Sequence, residues 1–403
     1  MNIRKKLLSL LLAGVMMLSL CACTDKEEPV EPSSSPEVTD KADPLEDFVV
    51  DTSVEDLCLA TAGIPGDTTM LTINGEAISA KLFLYLLVDN IDYLNSNYGL
   101  IPNWGEDAEL VEFIKNDTIN AAAYYTLVAA KCKELGYELT EAQVADLEGM
   151  IAFSVMMIGG EEAFEDILRM AGTDRESFYT VQAAPYYYER LLETAFAAAP
   201  TEQEVAAFVE ENDLLCAKHI LLLTMDMTTR QPLDEATIAE KKAQAETLLA
   251  QLQASDDLAA DFDALMHEHS EDSGLQGNPD GYVFTAGQMV TEFEDTTRSL
   301  EYGQMSGIVE SPYGYHIILR LDPNNEMIHT QYRTEKLSQQ LQTWTTEADI
   351  VTSPELDALD PYLFVEKYAA YQEAFAAESE AAADAAAGEQ TESETEPVTQ
   401  SEG

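Results

Sequence analysis

Apolar positions change period along the chain, and each change marks an element. Leu71, Thr72 and Ile73, followed by Asn74 and Gly75, predict a short strand and a tight turn. From Ser79, an N-cap residue, Phe83, Leu86, Leu87, Ile91 and Leu94 recur at i, i+3, i+4, i+8 and i+11, one face of a helix. A second helix is predicted over residues 107–135, stopped by Gly136, and Thr140 with Gln143 forms a capping box that opens a third. Within that third helix residues 150–158, MIAFSVMMI, are apolar all round, as expected in the middle of a bundle. Phe164, Ile167, Leu168 and Met170 continue the helical pattern, as do residues 178–196, where Tyr186, Tyr187 and Tyr188 are expected to pack inside the bundle. Thr201 and Glu204 make a second capping box. Residues 70–213 therefore predict an all-helical unit.

The period then shortens. Residues 215–223, LCAKHILLL, are β-rich, and Asp234 caps a helix to about Leu252 with Ile238, Ala245, Leu249 and Leu252 on one side. A short helical turn at 262–266, a loop, a helix over 289–300 and a strand over 315–321 complete a small α+β domain across residues 214–322. Residues 323–375 return to helix, with Ile328, Tyr332, Leu337 and Leu341 on one side and an apolar cluster of Leu359, Pro361, Tyr362 and Phe364.

Composition adds an address and excludes a class of partners. The chain has 403 residues, 21 Lys+Arg against 75 Asp+Glu, and a net charge of −54. Such an excess of acid repels phosphate backbones, so nucleic acid is not expected as a partner. Residues 1–22 read as a targeting segment: Arg4, Lys5 and Lys6 precede an apolar run, 7–20, too short to span a membrane comfortably. The run ends Leu20-Cys21-Ala22-Cys23, which resembles the lipobox of bacterial lipoproteins and implies Cys23 as the lipidated first residue of the mature chain. Residues 23–69, rich in Pro, Ser and acids, read as a disordered tether, and residues 376–403 as a disordered acidic tail whose Ala-rich start can prolong a helix. The mature chain keeps Cys58, Cys132 and Cys216, expected as free thiols. Neither a metal nor a cofactor is expected, since His267-Glu268-His269 places its imidazoles on different faces of a helix end.

Several short segments fall in an order that names a family. They are Ala217-Lys218-His219-Ile220-Leu221-Leu222, Phe262-Asp263-Ala264-Leu265, Ser270-Glu271-Asp272-Ser273, Phe284-Thr285-Ala286-Gly287-Gln288-Met289-Val290 with Phe293-Glu294, and Tyr313-Gly314-Tyr315-His316-Ile317-Ile318. Together they closely resemble the parvulin-type peptidyl-prolyl isomerases. With the lipobox and helical flanks they resemble the PrsA-like foldase lipoproteins. The helical part, which opens Ile73-Asn74-Gly75-Glu76, is similar to the chaperone domain of those proteins and of SurA-like chaperones. The resemblance implies an α+β fold: a parvulin-like domain with a small antiparallel sheet, joined to a helical chaperone domain onto which the segment 323–375 returns.

By resemblance, His219, Asp272 and His316 form the catalytic polar group, and Phe284, Met289 and Phe293 the proline pocket. Ser311 is the hydroxyl beside the second histidine and is grouped with the substrate-binding residues. The residues allow this. Met289 and Phe293, four apart in a predicted helix, share a face, and His219 and His316 can meet through a hydrogen bond if their strands are neighbours. The chemistry is modest. The X–Pro bond turns slowly because twisting breaks amide resonance, with a barrier near 20 kcal/mol. A rate gain of about 10³ to 10⁶ asks for only roughly 4–8 kcal/mol of preference for the twisted amide.

The sequence also departs from the family. The usual Gly-Gly-Asp-Leu-Gly reads Gln276-Gly277-Asn278-Pro279-Asp280-Gly281-Tyr282, without the Leu that walls the pocket, a place that Tyr282 either fills or leaves open, and Val290 stands where many relatives carry Gln. Arg230 is the one cation between Thr224 and Pro232, so a preference for phosphoserine–proline is not expected. The resemblance implies a foldase lipid-anchored outside the cell membrane, acting on unfolded secreted polypeptides that contain X–Pro bonds. The rival reading is a holdase whose isomerase fold is catalytically idle; a homodimer is left open by both.

Overall fold

The computed structural model describes residue 45, residues 48–99 and residues 104–393. The targeting segment 1–22, Cys23 and the first part of the tether lie outside the described residues, as do residues 394–403 of the tail. In chain order the elements are α1 (Leu57–Ala62), β1 (Thr69–Ile73), β2 (Glu76–Ser79), α2 (Ala80–Tyr98), α3 (Ala108–Glu134), α4 (Glu141–Ile158), α5 (Glu161–Met170), α6 (Arg175–Glu193) and α7 (Glu202–Glu211). They continue with β3 (Leu215–Leu223), α8 (Glu235–Gln253), α9 (Leu258–His269), β4 (Tyr282–Phe284), α10 (Thr291–Ser299), β5 (Met305–Glu310), β6 (Gly314–Arg320), α11 (Glu326–Glu347), β7 (Ile350–Thr352), α12 (Pro354–Ala358) and α13 (Pro361–Ser393). They fall into two units, one formed by residues up to Ala195 together with those from Ser338 on, the other by Phe196–Leu337.

The first unit is mostly helical. Ser79 caps α2 by accepting the Leu82 N–H, and the capping box of Thr140 and Gln143 opens α4. It is not all-helical, however. Asn74 and Gly75 both take positive φ, 51° and 85°, which closes the β1–β2 hairpin, and β7 pairs antiparallel with the other edge of β1. Three residues of β7 are too few to show a strand period. The core of this unit joins Met70, Phe83, Leu87, Ile114, Leu127, Leu356 and Phe364, and a second cluster joins Leu147, Ile151, Phe164, Leu168 and Phe178. Each such side chain, fully buried, contributes about 1.5–3 kcal/mol.

Three expectations at this level are corrected. The apolar stretch of α4 is not enclosed: Phe153, Met156 and Met157 are exposed, because the helix packs through its 143, 147, 151, 155 stripe with Met150 and Ile158 beside it. The disordered stretch does not reach residue 69, since Leu57, Cys58 and Ile64 are buried in the fold. Beyond residue 376 the chain is helical to Ser393, as Ala and Glu, strong helix formers with no proline among them, favour. Cys58, Cys132 and Cys216 are free and buried.

In the second unit an antiparallel sheet runs β4-β3-β6-β5. Residues of β3 alternate between two covered faces, which is why LCAKHILLL has almost no polar positions. Ile220 and Leu222 meet Ala245, Leu248 and Leu252 of α8 and Phe262 and Met266 of α9. Leu215 and Ala217 face the other way, toward Phe284, Phe293 and Ile318. The short turn expected at 262–266 is the centre of a helix of 12 residues, and the helix expected from Met289 begins only at Thr291. His329 is half-buried and hydrogen-bonded to Asn324 at 2.8 Å.

Candidate active site

Strand register brings the two histidines together. His219 pairs with Ile318 and Leu221 with His316, so the imidazoles stand diagonally on one face of β3 and β6. Their rings stack at 12° with centroids 5.2 Å apart, and Nδ1 lies 2.9 Å from Nδ1. His219 Nε2 is 3.0 Å from Asp272 Oδ2, and His316 Nε2 is 2.7 Å from Ser311 Oγ. Four side chains from three parts of the sequence thus form one line: Asp272, His219, His316, Ser311.

Asp272 is held by its loop. Ser270 Oγ accepts the Leu221 N–H at 3.1 Å, the Glu271 N–H donates to the Leu221 carbonyl at 2.8 Å, and the Glu271 carboxylate accepts the Leu223 N–H at 2.8 Å. These bonds zip the loop to β3 and fix the carboxylate one residue on. Asp272 Oδ1 accepts the Gly274 N–H at 3.0 Å, and Oδ2 also accepts the Tyr282 hydroxyl. Burial alone would raise the Asp272 carboxyl, but the donors from His219, Tyr282 and Gly274 outweigh it and hold the group well below the usual carboxylate range. Burial, and then the neighbouring His219, push His316 down to about 3 against the pull of Asp272, so it is neutral at pH 7.

For a neutral imidazole pair the bonds run in one direction. An ionised Asp272 only accepts, so His219 Nε2 carries hydrogen and Nδ1 accepts from His316 Nδ1–H; His316 Nε2 in turn accepts from the Ser311 hydroxyl. The Tyr313 N–H donates to Ser311 Oγ at 3.1 Å. Ser311 is buried and its oxygen is occupied on both sides. It holds His316.

The apolar side adjoins this line. Phe293 sits edge-on to His219, centroids 5.1 Å apart, lies 5.8 Å from His316, and meets Phe284 at 5.6 Å. Phe284 and Phe293 are buried and make a floor, whereas Met289, Val290 and Tyr282 are half-buried at its edge. Met289 reaches the cluster from the bend before α10, not from a shared helical face, because Val290 is the N-cap and the helix has not begun.

Residues 219–322 match the family model described as rotamase, PPIC-type PPIASE domain. This segment is a PPIC-type isomerase domain. The chain is 30% identical over 215 residues to the Foldase protein PrsA of Oceanobacillus iheyensis, covering 52% of this chain and 62% of that protein. It is 35% identical over 97 residues to the Chaperone SurA of Chromohalobacter salexigens, covering 21% and 22%. Among solved structures, the crystal structure of PrsA from Bacillus subtilis is 16% identical, covers 70% of this chain and 90% of that one, and has a TM-score of 0.29. The chain spans less than two thirds of the length of each of these curated relatives.

Within the isomerase domain, sequence reasoning missed Tyr282 as a partner of Asp272 and Glu271 as the clamp on β3. The available signal for Tyr282 was its position, an aromatic hydroxyl where the family motif carries Leu-Gly. Gly274 belongs to the same arrangement, since a Cβ there would meet the Tyr282 hydroxyl.

Proposed function

We propose that the chain is an extracytoplasmic foldase, lipid-anchored through Cys23, whose isomerase domain speeds X–Pro isomerisation in unfolded secreted polypeptides. The observation that carries this reading is the line Asp272–His219–His316–Ser311 lying against the Phe293 ring, within the segment that matches the rotamase family. A planar amide carries a large resonance dipole that water solvates well, and the twisted amide has lost it. An apolar floor of Phe284 and Phe293, with Met289 against the proline ring, therefore disfavours the planar forms more than the twisted one. His219 and His316, fixed by bonds at both ends, set the wall of that pocket without having to reorganise as the carbonyl turns. No bond to substrate forms or breaks. The helical unit, by its likeness to foldase and chaperone sequences, holds the unfolded chain.

A protease-coupled assay on a short X–Pro peptide tests the enzymatic half. The cis-to-trans rate should exceed that in buffer, and His316→Ala should remove most of the gain. Full activity in that variant would end the direct role assigned to the histidine pair, and a wild-type rate equal to buffer would leave only a holdase. Anchoring is tested separately: Cys23→Ser should move the chain from the membrane fraction to the medium.

A further inference from the structure

Phe153, Met156 and Met157 are 58%, 64% and 56% exposed, on the side of α4 turned away from its buried stripe. At 3.6 residues per turn, Asp146, Gly149, Met156 and Met157 all lie within about 60° of Phe153 around the helix. Gly149 and Ala152 are exposed as well, so from residue 149 to residue 157 the outer side of α4 carries no charge. Single apolar residues on a surface are ordinary, but three large ones side by side mark a contact surface. Acids bound the strip at both ends. Asp146 stands at its N-terminal end, and Glu161 and Glu162 follow the Gly159-Gly160 bend, where α5 leaves at 93°. Glu161 is paired with Arg175, but among the described residues no Lys or Arg pairs with Asp146 or Glu162, and α4 itself contains neither type. The helix from Asp146 to Ile158 rises about 18 Å, the length of five or six residues of extended chain.

We propose that this strip is where the helical unit takes an unfolded polypeptide, and that it selects an extended apolar segment of about five or six residues with Lys or Arg at its ends. Phe153, Met156 and Met157 cover the apolar side chains, and two unbranched methionines adapt to different shapes. Asp146 and Glu162 meet the flanking cations. Charge decides between occupants. A second copy would set the same unpaired acids, and a further net charge of −54, against the strip, and an anionic bilayer is repelled in the same way. A polypeptide with basic flanks is attracted at both ends and buries the apolar side chains between them. The proposal rests on the reading that the helical unit holds polypeptide, and adds where it does so and which segments it prefers.

The test uses the whole chain and fluorescein-labelled unstructured peptides of about ten residues, compared by anisotropy at about 0.15 M salt, where screening over about 8 Å confines attraction to nearby charges. One peptide has an apolar centre flanked by Lys, a second the same centre flanked by Glu, and a third Lys flanks around a Ser/Gly centre. The wild type should bind the first about fivefold more tightly than the second, as two exposed ion pairs allow, and about tenfold more tightly than the third. The triple variant Phe153→Gln, Met156→Gln, Met157→Gln should bind the first peptide about tenfold more weakly. Its melting temperature and its isomerase activity on a short X–Pro peptide should match the wild type, since exposed side chains are exchanged for a good helix former. Asp146→Asn with Glu162→Gln, which touches no apolar side chain, should cut the Lys-over-Glu preference to less than about twofold. A preference that survives this pair, equal wild-type affinity for the Lys- and Glu-flanked peptides, or unchanged binding by the triple variant each overturns the strip and leaves polypeptide binding by the helical unit standing. Failure of every peptide to bind the wild type overturns both. A dimer in sedimentation equilibrium that the triple variant dissociates would assign the strip to a second copy and overturn the proposal.

Discussion

Replacing Tyr282 by Phe keeps the ring and removes only the hydroxyl that donates to Asp272. A hydrogen bond to a charged group contributes about 1.5–3 kcal/mol. Asp272 retains two other donors, His219 and the Gly274 N–H, and Tyr282 is only half-buried, so the lower end applies, about 1.5 kcal/mol. For a unit of this size, 1 kcal/mol shifts the melting temperature by about 3–5 °C, so the variant should melt about 4–8 °C lower. Loss of packing could produce a similar fall, and a double-mutant cycle removes that ambiguity. In an Asp272→Asn background the hydroxyl no longer meets a carboxylate, so Tyr282→Phe should then cost much less, with a coupling energy of at least about 1 kcal/mol. Differential scanning calorimetry of the whole chain, following the transition that Tyr282→Phe moves, supplies the four values. Effects that add to within about 0.5 kcal/mol would show that the two side chains do not interact. The account of why Asp272 stays ionised would then be wrong.

His316, with a folded pKa of about 3 against 6.5 unfolded, is a base that the unfolded chain protonates first, so stability falls as pH drops below 6.5; between pH 7 and pH 5 the loss should be about 2 kcal/mol by urea titration, and His316→Gln should flatten that slope. Asp89 behaves in the opposite sense: its carboxyl pKa is raised from 3.8 to about 7, so the folded state holds the extra proton and loses stability as pH rises through that window. Asp89→Asn should therefore stabilise the helical unit by roughly 2–4 kcal/mol at pH 8 and by almost nothing at pH 4, seen as a melting-temperature gain that vanishes in acid. Gly314 has a φ of 156° and a Cβ there would run into the Leu222 carbonyl, so Gly314→Ala should part β3 from β6 beside His316 and abolish isomerase activity together with the domain's melting transition. Met289→Ala, which trims the edge of the apolar floor, should raise KM more than it lowers kcat, and an unchanged KM would remove Met289 from the pocket.

How much of this was legible depends on how local each feature is. The β3 and β6 segments announced themselves because both faces of those strands are covered, and two histidines inside such runs stand out. The strands β4 and β5 did not. Tyr282–Phe284 is too short for a period, and β5 carries Ser306 and Gly307 at a break in register between Met305 and Ile308. The α4 stretch misled for a different reason. Apolar residues all round a helix indicate burial only when neighbours cover every side, and here they cover one side, leaving Phe153, Met156 and Met157 bare. The Tyr282–Asp272 contact closes a ten-residue loop without periodicity, so no spacing rule reaches it. Asp89 could have been suspected: an acid one turn after a tyrosine, directly after the buried run Leu82 to Val88, needs a partner that the sequence does not provide nearby.

The polar line and the apolar floor answer different requirements, and this bears on which substitutions should matter most. Turning an X–Pro bond transfers no proton and needs no nucleophile, so neither a free hydroxyl nor a titrating imidazole is required. What is required is a surface that does not relax to resolvate the planar amide. Buried imidazoles with each nitrogen engaged meet that requirement: His316 is neutral, bonded at both nitrogens, and packed near Phe293. Changing the charge at the end of the line, as in Asp272→Asn, leaves an oxygen that can still accept from His219 and keeps the rings in place. Removing a ring breaks the line at its centre and leaves a buried nitrogen on the other histidine without its partner. Substitutions at His219 or His316 should therefore cost more, in both rate and stability, than loss of the Asp272 charge. The opposite order would mean that the carboxylate acts directly on the turning amide.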